Sequence, residues 1–113
     1  MSEFLDFLKH QYAYVAIGEF KPGKFGEAQA LFEAAVSTYG DGFEGGYLLQ
    51  EPNSDRGIAI LFWDEIDTMD ATRNDACEAI LKNMAPLFAA PPDTRFYEVN
   101  SKIDPAQKSM AIA

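Results

Sequence analysis

The predicted strands of this chain are apolar on both faces. The segment 12–20 places Tyr14 and Ala16 on one face and Val15 and Ile17 on the other, because successive side chains of a strand point to opposite sides. The segment 57–63 repeats the pattern, with Ile58, Ile60 and Phe62 on one face and Ala59, Leu61 and Trp63 on the other. In a sheet with one solvent-exposed face, apolar and polar residues alternate along each strand. These strands do not alternate in that way, so both faces of the sheet must be buried.

The elements follow one another in the order βαββαβ. Strands are predicted over 12–20, 43–51, 57–63 and 94–102. Helices are predicted over 25–39 and over a region that ends near residue 88, because apolar residues recur there at helical spacing. The second helical region is predicted to be interrupted around 72–74. Gly45-Gly46 predicts a bulge or a close backbone approach in the second strand.

This order is the split βαβ pattern of the ferredoxin-like fold, an α+β architecture. It predicts a four-stranded antiparallel sheet with both helices on one face, since crossover connections are right-handed. The opposite face would leave several large side chains in water, a patch larger than monomers usually expose. A second copy of the chain, packed sheet against sheet, would cover it, so we expect a homodimer. Residues 12–103 form the predicted domain, 1–11 an N-terminal arm and 104–113 a tail.

Composition limits the classes of partner. The chain has 113 residues, which suits one domain. Its 18 acidic and 9 basic residues give a net charge of −9, which disfavours nucleic acid and anionic membrane surfaces. No apolar run approaches the roughly 20 residues needed to span a bilayer. Cys77 is the only cysteine, so an intrachain disulfide is impossible, and we expect a cytoplasmic protein.

Three short motifs carry a resemblance to a known family. They are Lys21-Pro22-Gly23-Lys24 before the first helix, Gly42-Phe43-Glu44-Gly45-Gly46-Tyr47 opening the second strand, and Phe62-Trp63-Asp64-Glu65 closing the third. With the βαββαβ order, the chain over 12–103 resembles the antibiotic-biosynthesis-monooxygenase-like family of dimeric α+β barrel proteins. The resemblance implies two sheets that face each other, helices outside, and a pocket between the sheet and the helices of each subunit.

The resemblance also suggests a range of activities. The family includes monooxygenases that act without a cofactor on aromatic polyketides or quinol-like compounds, haem-degrading enzymes, and proteins of no known activity. The haem-degrading branch combines an asparagine on strand one, a tryptophan at the end of strand three and a histidine on the second helix. Trp63 matches the tryptophan, but strand one has no asparagine and the only histidine is His10, so we do not expect haem of that kind. The cofactor-independent activity that the resemblance implies needs no cofactor, and we expect none.

Four residues are candidates for binding a small aromatic ligand. Trp63 would be either a wall of the pocket or a core anchor between strand and helix, and Tyr14 and Tyr47 would offer hydroxyls or simply pack. Arg73 would hold a phenolate or carboxylate, or pair with Asp70 on the helix surface.

Other reactive groups do not form a recognisable site. The acidic residues from Asp64 to Asp70 do not match a calcium-binding loop, and carboxylates are favoured at the start of a helix. No nucleophile–histidine arrangement can be identified, and Cys77 is expected to be buried and inert. Two functions therefore stay open: a cofactor-independent monooxygenase of quinol-like substrates, and a non-catalytic ligand-binding or structural dimer.

Overall fold

The computed structural model describes residues 11–65, 67, 75–103 and 105. Its strands are β1 (Gln11–Glu19), β2 (Phe43–Gln50), β3 (Arg56–Trp63) and β4 (Asp93–Val99), and its helices are α1 (Phe25–Val36) and α2 (Asp75–Met84), with a short 3-10 turn over Ala85–Leu87. The order βαββαβ is therefore confirmed. Residues 1–10 of the predicted arm, most of the tail, Arg73 and the predicted interruption at 72–74 lie outside the described residues, whereas Gln11, which was assigned to the arm, begins β1.

The sheet is antiparallel, with the strand order β2-β3-β1-β4. β1 and β3 lie in the centre, as the split βαβ pattern predicts. β1 pairs continuously with β3 from Tyr12–Trp63 to Glu19–Arg56. β4 ends earlier than predicted, at Val99, where its pairing with β1 reaches Gln11.

Helix α1 also ends earlier than predicted, at Val36 instead of Tyr39. Two hydroxyl side chains follow it, and each bonds to a carbonyl three residues back: Ser37 Oγ to Ala34 at 2.6 Å and Thr38 Oγ1 to Ala35 at 2.7 Å. Backbone bonds of the same short spacing follow at Thr38 and Tyr39. Serine and threonine compete for backbone groups in this way, which tightens the last turn and ends the helix.

The main core lies between the sheet and the helices. Phe20 follows β1 and packs against Phe25 of α1 edge to face, with ring centroids 5.6 Å apart, and against Phe88 in a stack at 4.5 Å. Ala28 and Met84 complete the buried cluster. The core therefore joins β1 to both helical regions, and α1 contacts α2.

The opposite face of the sheet, called the outer face here, is also apolar. Cross-strand pairing places its residues side by side: Val15, Ile17, Tyr47, Leu49, Ile58, Ile60, Phe62 and Tyr97. Within the chain these side chains stay half-buried or exposed, including Tyr47 at 62% and Ile17 at 44%. The prediction that the strands are apolar on both faces is confirmed. None of the described helices is long and apolar enough to cross a membrane.

Candidate functional site

A cavity of about 910 Å³ lies between the inner face of the sheet and the helices. Small residues line the cavity both on the sheet and on α1. Short side chains at these positions leave the space between the sheet and the helix unfilled. Those on the strands are Ala16, Gly18, Gly57 and Ala59, and those on α1 are Ala28 and Ala35. Aromatic side chains complete much of the wall: Tyr14, Phe20, Phe32, Tyr39, Trp63 and Phe88.

The described lining contains no aspartate, glutamate, lysine, arginine or histidine. Its polar side chains are those of Tyr14, Tyr39, Trp63, Cys77 and Thr94. An apolar cavity with a few polar groups binds small organic molecules and orients them by a small number of hydrogen bonds. No group of three His, Cys, Asp or Glu residues suited to a metal ion occurs in the part of the chain that the structure describes.

Trp63 forms part of the wall of this cavity. It is the last residue of β3, where it pairs with Tyr12 on one side and Phe43 on the other. The Tyr39 and Phe43 rings each lie with their centroids 5.0 Å from that of Trp63. Trp63 is only 2% exposed, so it is at once a packed core residue and part of the cavity wall.

The indole nitrogen of Trp63 has an unusual environment. Nε1 is buried and has no hydrogen-bond acceptor among the described residues. A buried donor without a partner costs about 1–3 kcal/mol relative to a satisfied one, and such groups are uncommon in folded proteins. Trp63 therefore carries a hydrogen-bond donor that no described residue uses.

The structure separates the other sequence candidates. Tyr14 is half-buried and lines the cavity together with Trp63. Tyr47 lies on the outer face, where its ring packs edge to face on Phe62 with centroids 6.4 Å apart, and it does not line the cavity. The reason is the strand register, which pairs Tyr47 with Ile60 of the outer face. Arg73 lies outside the described residues.

Several lining residues were not proposed from the sequence as site residues. Cys77 is buried, as expected, but it lines the cavity, and so do Tyr39 and Thr94. A signal for the cavity does exist in the sequence. Ala16 and Gly18 on β1, and Gly57 and Ala59 on β3, place small residues at alternate positions of adjacent strands. That spacing sets all four on the same face of the sheet.

Comparison with known proteins rests on structure. No protein-family model matches the chain, and no curated protein has a significantly similar sequence. Among solved structures, a conserved protein from Methanosarcina mazei Go1 superposes with a TM-score of 0.72 at 18% identity, covering 82% of this chain and 96% of that one. A candidate antibiotic biosynthesis monooxygenase from Chloroflexus aurantiacus gives 0.69 at 18% identity, with 83% and 95% covered.

A third similar structure is SnoaB, a cofactor-independent oxygenase from Streptomyces nogalater. Its TM-score is 0.66 at 14% identity, and the match covers 84% of this chain and 96% of SnoaB. At these identities the likeness concerns the fold. The chain therefore has the ferredoxin-like α+β fold of the antibiotic-biosynthesis-monooxygenase-like proteins, as its sequence motifs predicted.

Proposed function

We propose that this chain binds a flat, uncharged aromatic molecule in its cavity and oxidises it with molecular oxygen, without a cofactor, as a homodimer. The observation that carries the proposal is a large apolar cavity lined by aromatic rings, among them Trp63, whose indole N–H is buried and has no acceptor among the described residues. The likeness in fold to a cofactor-independent oxygenase supports the reaction type.

The size and polarity of the cavity favour an aromatic ligand. Its volume of about 910 Å³ lies within the range of roughly 300–1,000 Å³ that is usual for small-molecule sites. Aromatic rings line it at Tyr14, Phe32 and Trp63, and flat ligands stack favourably on such rings. A charged ligand would find no counter-charge in the described lining and would be costly to desolvate.

The proposed reaction converts an activated ring CH₂ group, next to a phenol or ketone, into a carbonyl. The enolate or phenolate of the substrate gives electrons to O₂, one oxygen atom enters the ring as C=O, and the other leaves with both hydrogens as water. The protein's task is to stabilise the substrate oxyanion. The N–H of Trp63 would donate a hydrogen bond to that oxygen, and the hydroxyl of Tyr14 is a second candidate donor in the wall.

The outer face supports the homodimer. Its apolar side chains run across all four strands, and Tyr97 is 52% exposed and Leu49 is 45% exposed in the single chain. Two such sheets packed face to face would bury both surfaces, as sheets do in β-sandwiches. A second copy also presents the matching surface by symmetry.

A second candidate function is binding without catalysis. The described cavity wall holds no carboxylate and no imidazole, so it offers no usual general base for the substrate proton. A protein that only stores or carries an aromatic compound needs no such group. Under this alternative the cavity and the Trp63 donor keep their binding roles, and oxygen is not consumed.

Oxygen uptake with anthrone separates the two functions. An oxygenase should consume one O₂ per anthrone and form anthraquinone and water, above the uncatalysed rate. Trp63→Phe keeps an aromatic ring but removes the donor, and we expect it to lower kcat about 100-fold, as loss of one oxyanion donor does. Tyr47→Phe on the outer face is the control and should keep the wild-type rate. Binding of anthrone without oxygen uptake would establish the non-catalytic alternative.

A further inference from the structure

Three cross-strand pairs on the inner face of β1 and β3 form the floor of the cavity. They are Tyr14–Leu61, Ala16–Ala59 (the alanine pair) and Gly18–Gly57 (the glycine pair). All six residues line the cavity, and their side chains become smaller from the first pair to the last. Four residues separate Tyr14 from Gly18, which corresponds to about 13 Å along β1. Bulky side chains therefore stand at the first pair of the floor.

Two aromatic rings cover the glycine pair at the other end of the floor. A Cβ atom on Gly18 would lie 3.1 Å from Cε1 of Phe88, and a Cβ atom on Gly57 would lie 2.7 Å from Cε2 of Phe25. Each ring therefore rests directly on the backbone of a glycine. Phe20 joins the two rings, since it stacks on Phe88 at 4.5 Å and meets Phe25 edge to face at 5.6 Å.

Two backbone hydrogen bonds attach the segment around Phe88 to the end of β1. They run from the amide of Lys21 to the carbonyl of Leu87, at 2.8 Å, and from the amide of Ala89 to the carbonyl of Glu19, at 2.9 Å. The bonds flank an isolated bridge between Phe20 and Phe88. Paired residues of an antiparallel ladder point to the same face, so the bridge places the ring of Phe88 on the inner face beside that of Phe20.

Phe88 is the most accessible ring of this aromatic cluster. Phe20 and Phe25 are buried, at 8% and 6% exposure, whereas Phe88 is half-buried. Phe88 lines the cavity, and Phe25 is not part of the described lining. A ligand that lies along the floor therefore meets the ring of Phe88 where the floor reaches the glycine pair.

We propose that Phe88 determines the length of the aromatic ligand that the cavity accepts, because its ring covers Gly18. The inference rests on the ligand-binding function proposed above. A flat ligand on the alanine pair, with its long axis along β1, has Tyr14 at one end and Phe88 at the other. Without the ring of Phe88, the floor would extend over Gly18, about 7 Å further along β1, which leaves room for additional fused rings.

The test compares two quinones of different length in the wild type and in Phe88→Ala. The probes are 2-methyl-1,4-naphthoquinone, which has two fused rings, and 5,12-tetracenequinone, which has four in a line. Binding is followed by quenching of Trp63, the only tryptophan of the chain and part of the cavity wall. Far-UV circular dichroism checks the fold of each variant.

We expect the wild type to bind the two-ring quinone at least about tenfold more tightly, because the four-ring quinone has to displace a packed ring. Phe88→Ala should remove this preference by strengthening the binding of the four-ring quinone. Phe88→Leu should change the preference in the same direction by a smaller factor, and it serves if Phe88→Ala does not fold. Phe25→Leu is the matched control, since it shortens a ring outside the described lining and should leave the preference within about twofold.

A readout without ligand tests the contact between Phe88 and Gly18. In the wild type, Gly18→Ala should lower the midpoint of urea denaturation, because the new Cβ atom would lie 3.1 Å from the ring. In the Phe88→Ala background the ring is absent, so the same substitution should lower the midpoint less.

Three results would overturn the inference. They are a wild type that binds both quinones equally well, folded Phe88→Ala and Phe88→Leu variants that keep the wild-type preference, or equal effects of Gly18→Ala in the two backgrounds. Each of these leaves the proposed binding function intact, provided that the wild type binds the two-ring quinone. A wild type that binds neither quinone instead overturns the proposed function and the role of Phe88 together.

Discussion

At the scale of single residues, the size of the cavity depends on short side chains that face it from the strands. Ala16 and Ala59 are cross-strand partners on adjacent central strands, and both line the cavity. Ala59→Leu would extend a branched side chain into that space. We expect 2-methyl-1,4-naphthoquinone to bind at least about tenfold more weakly, because a ligand would have to displace a well-packed group. The free energy of unfolding should stay the same or rise by up to about 2 kcal/mol, as in other cavity-filling substitutions.

Fluorescence titration and urea denaturation measure these two quantities. Ile60→Leu is the matched control, since it changes the shape but not the size of a side chain on the outer face of the same strand. Undiminished ligand affinity in Ala59→Leu would show that the ligand binds elsewhere.

At the scale of secondary-structure elements, α1 packs on β3 where Gly57 leaves room. A Cβ atom on Gly57 would lie 2.7 Å from the carbonyl oxygen of Leu49 and 2.7 Å from Cε2 of Phe25. The first atom is backbone and the second belongs to a buried ring, so neither can move easily. We expect Gly57→Ala to lower the free energy of unfolding by about 1–3 kcal/mol, the usual cost of overpacking.

Gly26, in the first turn of α1, is the matched control for Gly57. A Cβ atom there would have no neighbour within 4 Å. Gly26→Ala should therefore stabilise the protein by about 0.4–1 kcal/mol, because alanine restricts the unfolded chain more than glycine does. Urea denaturation of both variants at one protein concentration measures the difference, and equal effects of the two substitutions would contradict the packing argument.

At the scale of the whole molecule, the outer face determines assembly. We expect a dimer at micromolar concentration in sedimentation equilibrium. Ile60 lies on central strand β3, paired with Val15 and Tyr47, so Ile60→Glu would place a charge in the middle of the proposed interface. The dissociation constant should rise at least about 100-fold, since a buried unpaired charge costs several kcal/mol. Ala34→Glu, on an exposed position of α1, adds the same charge away from the interface and should leave the dimer unchanged.

The order of elements could be predicted because each signal is local. Helical spacing, the turn residues and strand alternation depend on neighbours in the chain, and the right-handed crossover places both helices on one face. The two apolar faces of β1 and β3 could also be predicted, because successive side chains of a strand point to opposite sides of the sheet. The bulge at Gly45-Gly46 was also predictable, because paired glycines in a strand favour one.

The site was less predictable, because it depends on the register of strand pairing and on how the helices pack against the sheet. Tyr14 and Trp63 were candidates from the sequence and do line the cavity, whereas Tyr47 lies on the outer face. Nothing local to Tyr47 reveals its side of the sheet, since its pairing with Ile60 joins strands across a loop. The cavity itself arises where small residues of β1, β3 and α1 come together.

The sequence by itself therefore determined the βαββαβ order and the need to bury both faces of the sheet, because both depend on how apolar residues and turn residues are spaced along the chain. Only the tertiary structure decided that Phe43, and not Glu44, stands beside Trp63. The physical reason is that side-chain direction in a strand has a period of two residues, so the register of the strand pairing fixes the face of each side chain. In that arrangement the indole N–H of Trp63 is buried without an acceptor among the described residues.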